Sequence, residues 1–222
     1  MSRNGSPVAV ITGGEGALGR ATGEVLRGEG WQVLAFSRTE FDVCDQEKAG
    51  EILGSLPRID LLVNAAGQRR DAPLLKMPPA DRAAVLDTNL RGAWLCSRAV
   101  WPVMIRQGHG HIVNIGSGSA RHGALGQTAY AAAKAGLLAM TQSLASEGGA
   151  GNIRVNAVLP GWMRTPFNDA LPETVHEAAR NAQHLKRFNT PGLTAQFILF
   201  LHAMEHTSGQ IFQLDSRPGS WL

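Results

Sequence analysis

Thr12-Gly-Gly-Glu-Gly-Ala-Leu-Gly19 follows directly on the short apolar run Val8–Ile11 and opens a helical pattern that starts at Ala17. Glycines at 13, 16 and 19 permit a tight turn, a close backbone approach to a pyrophosphate, and close packing of helix on strand. The helix N-terminus would turn its N–H donors toward the anion. A glycine loop alone is a weak signal, and the strand before it and the helix after it are what make this one a dinucleotide loop. The contacts expected from it are Gly13, Glu15, Gly16, Ala17, Leu18 and Gly19.

Outward from this loop, β-rich runs alternate with helical patterns along the whole chain. Strands are expected at Val8–Thr12, Gln32–Ser37, Ile59–Asn64, His111–Gly116, Ile153–Leu159 and Gln210–Leu214. Most are continuous apolar runs, the pattern of strands covered on both faces. Helices are expected at Ala17–Glu29, Gln46–Leu56, Pro79–Gln107, Gln127–Glu147, Glu173–Leu185 and Thr194–Met204. This alternation specifies an α/β domain: a doubly wound, Rossmann-type parallel sheet between two helical layers, with right-handed crossovers. No repeat or linker divides residues 1–222, so a single domain carrying both cofactor and substrate sites is expected.

One connection departs from that plan. The β-like fragment Phe41–Val43 follows the second strand after only Arg38-Thr39-Glu40, whereas a parallel neighbour needs a crossover of about a dozen residues. The helix between the second and third strands is therefore expected to be missing, with Phe41–Asp45 crossing the strand ends as a loop or very short strand. Six main strands, shortened at one edge, are the expectation.

The composition fits such a domain. Of 222 residues, 44% are hydrophobic and 26 are glycine, the latter above the roughly 7% usual share and without a collagen period. The two cysteines, Cys44 and Cys96, cannot build a disulfide framework and show no metal-type spacing, which points to a reducing compartment and no metal site. The apolar run after Met1 is too short for a signal sequence, and no later run reaches the length of a membrane span, so a cytoplasmic protein without membrane association is expected. The net charge of +3 is spread over scattered, mostly arginine residues and gives little support to nucleic-acid binding.

The end of the second strand chooses between the nicotinamide cofactors. An acidic residue there would accept from the ribose 2′-OH and repel a 2′-phosphate. The residues are Ser37-Arg38, and a guanidinium beside a hydroxyl suits a phosphomonoester, so NADP(H) is favoured over NAD(H). Asp42, with Val43 beside it, lies further along, where the carboxylate is expected to face the adenine.

Tyr130-Ala-Ala-Ala-Lys134 opens a strong helical pattern, so the chain's single tyrosine and Lys134 share a face. A phenol near its ordinary pKa of ~10 is a poor acid–base catalyst at neutral pH, but a neighbouring ammonium and an oxidised nicotinamide would favour the phenolate. Ser117 lies thirteen residues upstream, at the end of a strand and before a glycine-rich turn.

With these pieces in view, the chain resembles the short-chain dehydrogenase/reductase family over nearly its whole length. The matching stretches are Thr12–Gly19, Asn64-Ala65-Ala66-Gly67, Asn89 within Asp87-Thr-Asn-Leu-Arg-Gly92, Ile112-Val-Asn-Ile-Gly-Ser117, Tyr130–Lys134, and Ile153-Arg-Val-Asn-Ala-Val-Leu-Pro-Gly161 with Thr165. The resemblance implies Tyr130 as general acid in carbonyl reduction and base in alcohol oxidation. It implies Ser117 as hydrogen-bond partner of the substrate oxygen, Lys134 as holder of the nicotinamide ribose and modulator of the phenol, and Asn89 as the site of a proton-relaying water. It also implies that Asn64, Ala65, Ala66 and Gly67 line the adenosine side, while Pro160, Gly161, Met163 and Thr165 flank the nicotinamide.

Three departures stand out. Ala17 replaces a family glycine, the second-to-third-strand region makes this a shortened member similar to dihydropteridine-reductase-like enzymes, and Asp215-Ser-Arg replaces Asp-Gly-Gly after the last strand. The selectivity loops offer Arg69, Arg70, Arg121, His122, Trp162, Arg164 and Phe167; the arginines could pair with a substrate carboxylate or phosphate but read first as solvated charges, and His122 as a loop polar residue. A partial lid over an open pocket is expected from Thr165–Asn189. The resemblance implies that the long helices, besides packing the core, form a homodimer interface, with Phe197–Leu201 and Trp221-Leu222 as a second interface in a homotetramer. The leading function is NADP(H)-dependent reduction of a ketone or aldehyde, or oxidation of a secondary alcohol. Pteridine reduction and a non-catalytic dinucleotide sensor or scaffold are the alternatives.

Overall fold

The computed structural model describes residues 5–217. Trp221-Leu222 lies outside the described residues. Six strands form one sheet in the order β2-β1-β3-β4-β5-β6: β1 Val8–Thr12, β2 Gln32–Phe36, β3 Leu61–Asn64, β4 Gly110–Ile115, β5 Ile153–Leu159 and β6 Ile211–Gln213. Every pairing is parallel. The helices are α1 Ala17–Gly28, α2 Gln46–Leu53, α3 Pro79–Leu86, α4 Gly92–Gln107, α5 Ser119–His122, α6 Thr128–Gly148, α7 Glu173–Asn181 and α8 Pro191–Ala203. The chain is thus a single α/β domain of the Rossmann type.

Strand side chains alternate between two apolar layers, as the period of two requires. Val10, Leu62, Ile112 and Val155 meet Leu53 of α2 and Cys96, Val100 and Met104 of α4. Ala9, Ile11, Leu61, Val63, Val113 and Val158 meet Leu26 of α1 with Ile198 and Leu201 of α8. Ile198 and Leu201 are therefore core residues, while Phe200 on the same helix is exposed. The short α5 carried no helical pattern of its own in the sequence.

The expectation about the second and third strands is corrected in one respect. Phe41–Val43 forms no strand, and Phe41 and Val43 instead drop into the core from the loop that follows β2. The sheet therefore has six strands as expected, but its second and third strands in sequence, β2 and β3, are joined by a helix, α2. Asp45 caps that helix, accepting from the Lys48 N–H at 3.1 Å.

The single long helix expected over Pro79–Gln107 is interrupted by a π-helical turn at Asp87–Arg91. Such turns re-aim one residue of a helix, and here that residue is Asn89.

A buried polar chain crosses the sheet under its carboxyl edge. Asn64 Nδ2 donates to Asn114 Oδ1 at 2.9 Å and to Ser97 Oγ at 3.2 Å, and Asn114 Nδ2 donates to Thr141 Oγ1 at 3.0 Å. All four side chains are buried, so each lost partner leaves an unpaid desolvation cost. Asn114→Leu is expected to lower the unfolding free energy by about 1–3 kcal/mol, read by urea denaturation. A change near zero would show that the chain does not hold β3, β4 and α6 together.

Candidate active site

The glycine loop is shaped by what surrounds it. Gly13 has a φ of +68°, and a Cβ there would stand 2.8 Å from Ala66 Cα at the end of β3. A side chain at Gly19 would strike the Gly13 carbonyl oxygen, so α1 rests directly on the loop. Gly14, not singled out by the sequence reading, is as constrained: its Cβ would lie 2.8 Å from Ala35, and its N–H donates to the Phe36 carbonyl at 2.8 Å. Gly16 precedes α1 with no side-chain cap, and the first turn has no acidic residue. The leading N–H groups of the helix have no helical acceptor, so this donor set fits a pyrophosphate.

At the end of β2, Ser37 and Glu40 form a reciprocal cap. The Ser37 N–H donates to Glu40 Oε2 at 2.8 Å, Ser37 Oγ donates to the same oxygen at 2.7 Å, and the Glu40 N–H returns to Ser37 Oγ at 3.4 Å. These bonds hold the Glu40 carboxyl below its ordinary pKa. The Ser37 hydroxyl therefore spends its proton on Glu40, and a phosphate in this corner would depend on Arg38. Arg38 is 75% exposed and its Nε lies 3.4 Å from Asp42. Ser-x-x-Glu is a capping-box signature, the signal in the sequence that points to Glu40.

One cavity of about 800 Å³ joins this corner to the tyrosine helix. Gly13, Glu15, Gly16, Ala17, Leu18, Gly19, Ser37 and Arg38 line one end. Ala65, Gly67, Pro160, Gly161, Met163 and Thr165 also line it, together with Asn89, Ser117, Tyr130 and Lys134. Four expected contacts are not on its wall. Val43 is in the core, Asn64 is committed to the buried polar chain, Asp42 accepts from the Cys44 N–H at 2.9 Å, and Ala66 donates its N–H to Thr12 Oγ1 at 3.2 Å.

Within the cavity Lys134 is buried, and its Nζ donates to the Ile115 carbonyl at 2.8 Å, tying α6 to the end of β4. The Nζ lies 5.8 Å from the Tyr130 ring centroid. Burial pushes the Tyr130 phenol up to about 12, opposed by a hydrogen bond with Ser117 and by the charge of Arg69. Burial pulls Lys134 down to about 8. Asn89 Nδ2 donates to the Gln68 carbonyl at 2.7 Å and the Val85 carbonyl at 2.9 Å, leaving the buried Oδ1 without a partner. A Cβ at Gly67 would stand 2.9 Å from that oxygen and 3.9 Å from Lys134 Nζ, so both polar atoms border the same small space.

The substrate end is more apolar and more cationic than the sequence reading allowed. Phe167 and Leu171, from the segment before α7, and Val175 of α7 line it. Arg69, expected as a solvated charge, is only 16% exposed, pairs with Asp71 at 3.3 Å and lies over the Phe167 ring at 5.7 Å. Arg217 also enters the wall. Its signal was the departure at Asp215-Ser-Arg.

Comparison with known proteins agrees with this geometry. A family model described as enoyl-(acyl carrier protein) reductase matches residues 3–216. The chain belongs to the short-chain dehydrogenase/reductase family. It is 38% identical to the 3-oxoacyl-[acyl-carrier-protein] reductase FabG of Thermotoga maritima, over 94% of this chain and 96% of the relative. It is 36% identical to the short-chain reductase protein NovJ of Streptomyces niveus, over 95% of this chain and 94% of the relative. It is 37% identical to carbonyl reductase family member 4 of Danio rerio, over 95% and 97%.

As a short-chain dehydrogenase/reductase the protein is an oxidoreductase, and the three relatives above carry reductase names. Among its described residues no helix is long and apolar enough to cross a membrane. The depressed Lys134 has a consequence for the stability of this family member. Between about 8 and the ordinary 10.5 the unfolded chain still holds the lysine proton that the folded chain has released, so stability rises with pH across that window. Replacing Lys134 with Met is expected to flatten the rise, measured as the difference in urea midpoint between pH 8 and pH 10. Equal differences in both proteins would contradict the depressed lysine.

Proposed function

We propose that the protein is an NADP(H)-dependent reductase of the carbonyl reductase or alcohol dehydrogenase type, moving hydride between the nicotinamide and a ketone, aldehyde or secondary alcohol. The observation that carries the reading is the meeting of Asn89, Ser117, Tyr130 and Lys134 on the wall of one cavity that begins at the glycine loop. The names of the 3-oxoacyl and carbonyl reductase relatives point the same way. In this reading one domain over residues 1–222 serves both cofactor and substrate.

The donor end of α1 and the glycine loop would hold the pyrophosphate, Arg38 the 2′-phosphate, and Lys134 the nicotinamide ribose. Pro160, Gly161, Met163 and Thr165 would border the nicotinamide. A bound reduced nicotinamide supplies the hydride. Tyr130, kept protonated by burial, donates its phenolic proton to the substrate oxygen as negative charge develops there. Ser117 shares a hydrogen bond with that phenol and binds the same oxygen. When charged, the Lys134 ammonium favours the phenolate left behind. Asn89 Oδ1, unpartnered beside Gly67, accepts from a water that returns a proton toward Lys134.

The pteridine-reductase alternative drew on a missing helix between the second and third strands. Helix α2 occupies that connection, and the reading is carried no further. A shortened chain remains part of the proposal without the missing helix, on the match to FabG that spreads 94% of these 222 residues over 235 aligned positions. The exposed Trp94 of α4, with Arg98 stacked on it, suits a homodimer face, with a homotetramer built from two such pairs. Free Cys44 and Cys96 suit a reducing cytoplasm.

Tyr130→Phe is expected to lower kcat by about 10²–10⁴-fold while NADPH still binds, measured by tryptophan fluorescence titration beside steady-state turnover. Arg38→Ala is expected to remove a preference for NADPH over NADH of roughly 10–100-fold, the value of a charge-assisted contact. Undiminished turnover in Tyr130→Phe would overturn the acid–base assignment. Equal binding of the two cofactors by the unmodified protein would overturn the phosphate role of Arg38, and binding of neither would favour a scaffold.

A further inference from the structure

We propose that Arg217 reads the substrate: the site takes a carbonyl compound that carries a carboxylate, and the Arg217 guanidinium binds it. The inference rests on the carbonyl-reductase reading and adds a substrate class to it.

Arg217 is set in place by a built arrangement. Asp215, whose side chain is 1% exposed, accepts from Arg217 Nε at 2.8 Å and from Gln213 Nε2 at 2.6 Å. Two glycines in different strand-end loops leave the space that this pair fills. After β5, a Cβ at Gly161 would run into the Asp215 side chain, with its Cγ at 2.9 Å. After β4, a Cβ at Gly118 would stand 2.9 Å from Arg217 Nη2. The guanidinium therefore lies against the residue that follows Ser117, on the wall of the cavity that holds Ser117 and Tyr130.

Asp215 occupies Nε alone. Among the described residues neither Nη group of Arg217 donates to an acceptor. A guanidinium fixed at Nε presents its two Nη donors as a planar edge, the shape that a carboxylate matches with two parallel hydrogen bonds. With 24% of the side chain exposed, water screens such a pair less than a surface one. Arg69, the guanidinium whose charge acts on Tyr130, is already engaged by Asp71 and Phe167. Phe167, Leu171 and Val175 add apolar wall. An oxo acid with a short hydrocarbon chain satisfies both kinds of surface.

The test compares 3-oxohexanoate with its methyl ester, which removes the charge and adds one methyl group. With NADPH as reductant, kcat/KM for the acid should exceed that for the ester by about 10–100-fold, the range for a charge-assisted pair. The ratio should collapse in Arg217→Gln, mainly through KM, and partly recover in Arg217→Lys. A purely structural role for Arg217 would lower both substrates together and leave the ratio unchanged, which would overturn the proposal. So would a fall in NADPH affinity with an unchanged ratio, since Arg217 would then serve the cofactor. If the unmodified protein turns over neither compound, calorimetric titration decides the anion site by itself, separately from the carbonyl reading. Tighter binding of the acid that Arg217→Gln abolishes supports the site, and equal binding or none overturns it.

Discussion

All five strand pairings are parallel, so every strand delivers its carboxyl end to one edge of the sheet, and the site follows from that constraint. The glycine loop, the Ser37–Glu40 cap, the Asn64–Gly67 turn, Ser117 and the Pro160–Gly161 turn all leave the sheet on that edge. An open α/β sheet places its ligand crevice there. The Asn64–Asn114–Thr141 chain lies directly beneath it and ties β3, β4 and α6 with bonds that only buried, fully oriented side chains can make.

Space at this edge is controlled by glycines, each for a different neighbour. Gly13 admits the backbone of Ala66, Gly67 admits Asn89 and the approach of Lys134, Gly118 admits Arg217, and Gly161 admits Asp215. The electrostatics share one cause. Burial disfavours charge on both Tyr130 and Lys134, raising the first and lowering the second. A protonated phenol and a lysine that still carries its proton near neutral pH thus face one cavity, a combination suited to protonating a substrate oxygen.

The fold was legible because its signals are local and repeated. Apolar-rich runs mark β1 and β3 to β5, and the helix-period patterns of α1 and α6 begin within a residue of where the helices start. The Tyr130–Lys134 spacing, Ser117 and the glycine loop likewise place residues that the cavity brings together. What escaped reading depends on contacts distant in sequence or on competing local bonds. Phe41–Val43 has strand composition but is a loop, one of its two expected forms, and taking it for the next strand hid that α2 is the helix between β2 and β3. Ser37 looked available to a phosphate, but Glu40 three residues later takes its hydroxyl. Arg69 and Arg217 are two of many arginines, and only tertiary packing against Phe167, Asp71 and Asp215 distinguishes them from solvated ones.

The central claim is that this cavity transfers hydride from a nicotinamide to a carbonyl carbon. The most direct measurement supplies NADPH deuterated at the nicotinamide C4 position together with a ketone, and follows the alcohol product by mass spectrometry. The account predicts an alcohol one mass unit heavier, with the deuterium on the former carbonyl carbon and from one face of the nicotinamide only. NADPH that binds but leaves its deuterium untransferred across a panel of ketones and oxo acids would contradict it.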